Sequence, residues 1–467
     1  MILTAGDVQE LHHVEFRNAH VLTGKTITGV STDSRTLNAC DLFFALKGEN
    51  FDGHEFVRQA FAKGALAAVV NAAAVVDFPA GHAVLVVEDT TRALGELAHM
   101  VRRRFDIPVL AIAGSNGKTT TKDMIAQILG RRYTVLSTEG NLNNYIGVPL
   151  TIFRLEREHN IAVVEIGTNH PGEISYLCSI LEPTHGIITN VGKEHLEFFK
   201  SIEGVANEEG ELFAALRKRK YTFAFVNADD PLIVAQASRL RNRLAYGFTH
   251  KHAVVRGSIV SFNELGCAEL RIKSGQRKAP FTIQLNVPGE PSAMNALAAA
   301  AVGLVFNVPQ TRIRAVLEEF RPASKRMEVL SIKGVTIFND TYNANPDSTL
   351  AALKTLARAR VPGKRIAVLA DMLELGDGAE EEHARIGKEA TQLGLHYLLT
   401  YGKLAKHIHN AAGIQVALHY DQKNILAEYL AELVSRGDAV LVKGSRGMKM
   451  EDVVTFLEQR LGSEVVR

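Results

Sequence analysis

The sequence predicts an α/β protein of three domains: a small mixed α/β unit at the N-terminus, a central parallel sheet built around a phosphate loop, and a C-terminal Rossmann-like α/β unit. Three observations lead there. A chain of 467 residues is long enough for about three domains, each with its own core. Short β-branched runs alternate with helical stretches in two separate segments, one from Pro108 and one after Arg321-Pro322. Residues 109–121, Val-Leu-Ala-Ile-Ala-Gly-Ser-Asn-Gly-Lys-Thr-Thr-Thr, run an apolar strand into a glycine-rich turn and a polar helix start. The expected divisions are 1–105, 106–321 and 322–467.

In the first segment Val30–Arg35 reads as a polar turn, and Asp41–Leu46 as a strand before Lys47-Gly48. A helix is expected from His54 to Lys63, then an apolar run at Ala67–Val70 and a strand at Ala83–Val87. A further helix begins near Thr91 and closes on Arg102-Arg103-Arg104, three cations that suit a helix C-terminus. The second segment offers strands at Val109–Ala113, Ile161–Ile166, Gly186–Thr189 and Thr222–Val226, with helices between most of them, as in a parallel sheet covered on both faces. His252–Val260, Glu269–Lys273 and Phe281–Val287 alternate and are expected to extend it antiparallel; Gly289–Val305 is Ala-rich and helical. In the third segment Gly334–Asn339, Arg365–Leu369, His396–Thr400 and Ala439–Val442 are strands of another open sheet. No 20–50-residue period marks a repeat protein.

Composition narrows the function. Lys and Arg total 53 against 51 Asp and Glu, a balance that argues against an extended nucleic-acid or anionic-membrane surface. Cys40, Cys178 and Cys267 are odd in number and far apart, which suits reduced, mostly buried thiols better than disulfides or a zinc site. The N-terminus lacks a basic segment followed by an apolar core, and the most apolar stretch, Gly64–Val76, is interrupted by Asn71 and too short to span a bilayer. A cytoplasmic chain without membrane insertion is expected.

The phosphate loop is the strongest chemical signal. Gly114 and Gly117 leave room for backbone N–H groups around phosphate oxygens, Lys118 can reach the β- and γ-phosphates, and a Thr119 or Thr120 hydroxyl can sit on Mg²⁺. Ile112 stands where the general pattern has its first glycine. An ordinary strand-to-helix turn would explain the glycines, but not strand, spacing and a helix starting at Thr119 together. ATP binding on a phosphate-loop ATPase-like sheet is therefore expected. Ligands in open α/β sheets lie beyond the carboxyl ends of strands, where polar groups recur here: Glu165; Asn190, Lys193 and His195; Asp340, Tyr342, Asn343 and Asn345; Lys443, Ser445 and Arg446. Taken singly, Glu165 could cap a helix, His195 could be an interior histidine, and Lys443 with Arg446 could be a solvated loop.

Several longer segments resemble the Mur ligase family nearly end to end. They are Gly114-Ser-Asn-Gly-Lys-Thr-Thr, Gly140-Asn-Leu-Asn-Asn-Tyr-Ile-Gly-Val-Pro-Leu-Thr, Glu165-Ile-Gly-Thr-Asn-His-Pro-Gly-Glu-Ile and Asn190-Val-Gly-Lys-Glu-His-Leu-Glu in the central segment, then Asn339-Asp-Thr-Tyr-Asn-Ala-Asn-Pro, Asp371-Met-Leu-Glu-Leu-Gly and Val442-Lys-Gly-Ser-Arg-Gly-Met. The Leu-Asn-Asn, Tyr-Asn-Ala-Asn-Pro and Asp-Met-Leu-Glu-Leu-Gly segments resemble the branch that adds D-alanyl-D-alanine to a UDP-N-acetylmuramoyl-tripeptide. The resemblance implies an ATP-dependent ligase of peptidoglycan-precursor synthesis that works through an acyl phosphate, expected as a monomer. By it, Ser31, Asp33, Ser34 and Arg35 lie near the uridine diphosphate. Gly114, Ser115, Asn116, Gly117, Lys118, Thr119, Thr120 and Asn295 hold ATP, with Arg326 and Asp340 reaching across from the third domain. Thr119, Glu165 and His195 contact Mg²⁺, with Lys118 beside them. Asn143 and Asn144 serve the substrate, and Tyr342, Asn343, Asn345, Lys443, Ser445 and Arg446 line the dipeptide cleft.

Two departures stand out. The family usually carries a lysine, modified to a carbamate, where this chain has Glu209, and the implied replacement is a built-in carboxylate for Mg²⁺. A surface glutamate in an acidic turn is the plain alternative. The family also tends to carry His-Asn where Pro291-Ser292 stand, in a segment that resembles one bordering the adenine site. A sibling ligase that adds a single amino acid remains open, although no Asp-Asn-Pro-Arg segment of the diaminopimelate-adding kind is present. So does a non-catalytic ATP-binding module.

Overall fold

The computed structural model describes residues 3–12, 14–48, 51–74, 81–275, 279–462 and 465–466. It contains three sheets, one in each of the three segments. In the first, Ala83–Val87, Ala67–Asn71, Asp41–Phe44 and Gly29–Ser31 lie parallel in that order, with Glu15–Arg17 antiparallel on the outer edge. The middle strands are buried on both faces, which is why they read as unbroken apolar runs.

The second sheet has nine strands. Val109–Ala113 lies between Ile161–Glu165 and His185–Ile188, with Val135–Ser137 beyond the first and Phe223–Asn227, Arg243–Gly247 and Val255–Phe262 beyond the second, all parallel. The expected antiparallel extension follows, Val255–Phe262 to Cys267–Ser274 to Phe281–Pro288. The third sheet runs Val416–Tyr420, Tyr397–Tyr401, Arg365–Ala370, Ala439–Lys443 and Val335–Asp340 in parallel, then Glu328–Ile332 and Val465–Val466 antiparallel.

Several expectations need correction. Val30-Ser31, read as part of a turn, closes the edge strand Gly29–Ser31. Glu15–Arg17, Val135–Ser137, Arg243–Gly247, Glu328–Ile332 and Val416–Tyr420 were not expected as strands. They are short and half-exposed, so they carry no apolar run, and the neighbouring strand supplies what their own sequence does not. The helix expected from His54 is a 3₁₀ turn, Gly53–Phe56, followed by a helix at Val57–Ala62. The phosphate-loop helix starts at Lys118, one residue early. Of the three expected helix-end cations, Arg102 is buried, its guanidinium donating to the Leu181, Phe105 and Ile107 carbonyls, and Arg104 pairs with Asp7. Val75 and Val76, in the apolar stretch, lie outside the described residues.

The cores divide unevenly. One continuous apolar cluster joins the first sheet to one face of the second, through the helix Thr90–Arg102 against Gly147–Ile152 and Glu173–Leu181. The third sheet has its own two clusters, one on each face. The first two units are thus fused by packing, and the third is a separate body docked on them. Cys178 and Cys267 are buried and Cys40 is exposed. No described helix is long and apolar enough to cross a membrane.

Candidate active site

The strand Val109–Ala113 lies inside the second sheet, third from one edge, and at its end the chain turns through Gly114–Gly117 into the helix Lys118–Leu129. The turn needs its glycines. Gly114 has φ 118° and Gly117 φ 79°, and a Cβ at 117 would come within 2.6 Å of Asn295 Oδ1. The segment after the neighbouring strand holds the loop in shape. Ser115 N donates to the Asn190 carbonyl at 2.9 Å, Asn116 N to Asn190 Oδ1 at 3.0 Å, and Gly192 N to Ser115 Oγ at 2.8 Å. The helix N-terminus beyond, with Thr119 buried and Thr120 half-buried, leaves its first-turn amides for an anion. Asn295, on the helix Glu290–Val305 that also carries Pro291 and Ser292, is buried against Gly117.

Around this loop sit three buried carboxylates. Glu165, at the end of its strand, accepts from Thr119 Oγ1 at 3.1 Å and Asn143 Nδ2 at 2.8 Å, both through Oε1. Glu209, on the helix Ile202–Arg217, accepts from Gly114 N at 2.7 Å through Oε2. Glu194 Oε2 lies 3.8 Å from Lys118 Nζ. Each has a second oxygen without a hydrogen-bond partner: Glu165 Oε2, Glu209 Oε1 and Glu194 Oε1. Glu209 is 0% exposed, so the surface-glutamate alternative falls. Burial pushes its carboxyl up to about 8, against the pull of Lys118 and the Gly114 amide. Burial alone would lower the Lys118 ammonium, but Glu194, Glu209 and Glu165 outweigh it and hold it above its ordinary value. Lys118 folds back on the Gly114 carbonyl.

Glu194 was missed in the sequence: it stands between Lys193 and His195, both singled out there, but lies six residues past the strand His185–Ile188 and so lacks the strand-end placement that marks Glu165. His195 goes elsewhere. Its Nδ1 lies 2.5 Å from Glu374 Oε2 of the third unit, a close contact not aligned as a hydrogen bond. Among the described residues no three His, Cys, Asp or Glu side chains form a metal-ligating cluster, so Glu165, His195 and Glu209 are not gathered as one ligand set.

The third unit docks its strand ends over the loop. Asn345 Nδ2 donates to Asn116 Oδ1 at 2.9 Å, and Lys193 N donates to Asp347 Oδ2 at 2.8 Å. Arg326 stacks 3.7 Å from the Tyr342 ring centroid, with Arg446 at 5.6 Å from the same ring. Lys443 is buried, pairs with Asp340 at 2.6 Å and donates to the Asn343 carbonyl, so it is no solvated loop residue. Ser445 is also internal, donating to the Ala344 carbonyl and accepting from Leu373 N. Asn345 caps the helix Pro346–Arg358. Asn144 accepts from Ile146 N and Gly147 N, and so opens the helix Gly147–Ile152.

Ser31 ends the strand Gly29–Ser31, and Asp33, Ser34 and Arg35 follow directly beyond it. Arg35 grips Asp33 through Nε at 2.9 Å and Nη2 at 2.8 Å, and this contact draws the Asp33 carboxyl down to about 2. Ser34 is buried on Gln59, and Ser31 Oγ donates to the Asp33 carbonyl. At the same unit a cavity of about 830 Å³ opens, lined in part by Lys47, His54, Arg58, Asn71 and Thr90. No sequence signal pointed to it.

Models of known families match three stretches of the chain: Mur ligase family, catalytic domain, at residues 26–102; Mur ligase middle domain at 112–303; and Mur ligase, glutamate ligase domain, at 325–446. The UDP-N-acetylmuramoyl-tripeptide–D-alanyl-D-alanine ligase of Bacillus subtilis is 38% identical, covering 92% of this chain and 93% of the relative. The Escherichia coli enzyme of the same name is 35% identical over 98% of each. Among solved structures, MurF from Acinetobacter baumannii superposes with a TM-score of 0.89 at 30% identity, covering 98% of this chain and 99% of that one. MurF ligase from Thermotoga maritima, in complex with ADP, gives 0.82 at 28% identity, covering 93% and 98%.

Proposed function

The chain belongs to the Mur ligase family, and from that footing we propose that it joins D-alanyl-D-alanine to a UDP-N-acetylmuramoyl-tripeptide at the expense of ATP. The likeness to relatives of that name over nearly the whole chain supports the substrates, and the ADP-bound neighbour supports the nucleotide. The observation that carries the chemistry is the ring of buried carboxylates around Lys118, at a glycine loop closed over by the third unit.

On this reading residues 1–105 take the uridine diphosphate end, at Ser31–Arg35 and the neighbouring cavity. Residues 106–321 hold ATP, and residues 322–467 bring the dipeptide and close the site. Glu165, Glu194 and Glu209 are not gathered as one ligand set, but each keeps an unpartnered oxygen, and Mg²⁺ needs only one or two carboxylates beside phosphates and water. Mg²⁺ held there would neutralise charge on the γ-phosphate. Glu209 then supplies directly the carboxylate that relatives make by modifying a lysine.

Lys118 leaves the Gly114 carbonyl for the phosphates as ATP enters. The tripeptide carboxylate oxygen bonds to the γ-phosphorus and the bond to ADP breaks, giving an acyl phosphate. The free dipeptide amine then attacks the acyl carbon, and phosphate departs with the bonding pair and takes up the proton that the amine gives off. Arg326, held flat by Tyr342, faces the transferred group. Docking of the third unit keeps out the water that would hydrolyse the acyl phosphate. The protein works as a monomer in the cytoplasm.

The test is phosphate release from ATP with UDP-muramoyl tripeptide, with and without D-alanyl-D-alanine, and mass spectrometry of the product. Release that needs both, with a product heavier by the dipeptide, is expected. Release with a single amino acid in place of the dipeptide would move the chain to a sibling ligase, and no acceptor-dependent release would make it a binding module.

A further inference from the structure

The contact between His195 and Glu374 joins two residues that are both unusual in backbone. His195 has φ 46° and Glu374 φ 63°, left-handed conformations that residues with a Cβ adopt rarely and that persist where surrounding structure over-determines them. They meet across the junction of the central and third units, with Nδ1 2.5 Å from Oε2.

Each is held by its own unit. The Glu374 loop is anchored by Met372 N donating to His383 Nε2 at 2.9 Å, Leu373 N to Ser445 Oγ at 2.8 Å, and Ala405 N to Asp371 Oδ1 at 2.7 Å. Across the junction Glu197 N donates to the Glu374 carbonyl at 3.2 Å. The His195 ring stands edge-on to Phe199, centroids 6.4 Å apart. An anchored loop of one body thus presents a carboxylate to one ring nitrogen of the other.

We propose that Glu374 is a positioning residue through which the third unit sets the orientation of the His195 ring, so that the ring is fixed only when the two bodies are docked. The proposal rests on the reading of His195 as a residue of the nucleotide site, reached through the Asn190–Gly192 segment that shapes the phosphate loop, and not as a fellow ligand of Glu165 and Glu209. A carboxylate behind a histidine fixes its tautomer and ring direction, and loss of such a partner typically lowers metal affinity or activity by roughly 10–100-fold. The contact is already short, so a loaded site would change its alignment rather than its length.

The experiment compares Glu374→Ala, Glu374→Gln and His195→Gln in the full chain. The His195 ring ¹⁵N resonances are followed by NMR, with His195→Gln supplying the assignment, alongside ADP binding with and without Mg²⁺ and the steady-state constants. Glu374→Ala is expected to shift the ring resonances toward a tautomer mixture and to lower kcat roughly 10–100-fold, with KM for the UDP substrate unchanged. Glu374→Gln keeps an acceptor oxygen and the loop's shape, so ring resonances and rate should return most of the way. Parental resonances and rate in the Ala variant, or a Gln variant no better than Ala, would overturn the proposal. If His195→Gln itself turns over and binds MgADP like the parent, the underlying reading of His195 is what fails, and that outcome is visible without either Glu374 variant.

Discussion

At the scale of single residues, the site is defined by charge placed where water cannot reach it. Glu209 has an ordinary carboxyl value of 4.5, pushed up to about 8 by burial. Between those values the folded protein binds a proton that the unfolded chain does not, so its contribution to stability falls as pH rises from about 4.5 and levels off above about 8. In chelator, without nucleotide, Glu209→Gln should therefore melt with the parent at pH 5 and roughly 2–4 °C above it at pH 9. Thermal melts at the two pH values check this, and a variant melting below the parent at pH 9 would contradict it. With Mg²⁺ the sign reverses, because the cation needs the ionised carboxylate: MgADP affinity of the parent should rise with pH up to about 8, and Glu209→Gln should flatten that rise.

At the scale of elements, polar residues expected to touch substrate also build the frame. Asn345 accepts from Ser348 N at 2.9 Å as the helix cap, donates its own backbone N–H to Ser348 Oγ at 3.1 Å, and donates from Nδ2 to Asn116 of the phosphate loop. Asn345→Ala should cost about 1 kcal/mol in urea unfolding through the lost cap. Asn345→Asp keeps the cap but has no side-chain N–H for Asn116, so stability should return while ADP affinity stays weakened. Equal ADP affinity in Asp and parent would remove the loop contact from the binding account. Strands such as Val109–Ala113 and Ala83–Val87 were legible to the residue, because burial on both faces writes itself as an uninterrupted apolar run. Arg243–Gly247 and Val416–Tyr420 were not, since a half-exposed strand beside a parallel neighbour needs no such run.

At the scale of the whole molecule, the first two units share a core while the third keeps its own, so relative motion belongs to the third. Its docking adds to the packing of Leu196 on the third unit's core a set of polar contacts: Lys193 with Glu382 and Asp347, Asn116 with Asn345, Arg358 with Glu290 at 2.6 Å, and Arg360 N to the Glu264 carbonyl at 2.8 Å. Glu382→Ala should weaken docking by up to about 1 kcal/mol, roughly fivefold in the docked population, because Lys193 is partly exposed and the pair is screened accordingly. Small-angle scattering should show a larger radius of gyration without nucleotide, and ADP should reverse it. An unchanged radius and rate would assign docking to the other contacts.

What the sequence determined by itself is local and periodic: the strand-turn-helix of the phosphate loop, the alternation behind two open sheets, the acid at the end of Ile161–Glu165, and a family resemblance written in contiguous motifs. What only the tertiary structure decided depends on distance across the chain. Glu194 and Glu209 meet at Lys118 from segments far from the loop, their second oxygens left without partners, and His195 turns from the carboxylates toward Glu374 on another body. Burial and pairing arise from packing between separated segments, and no local pattern of residue types encodes which buried carboxylate is left without a partner.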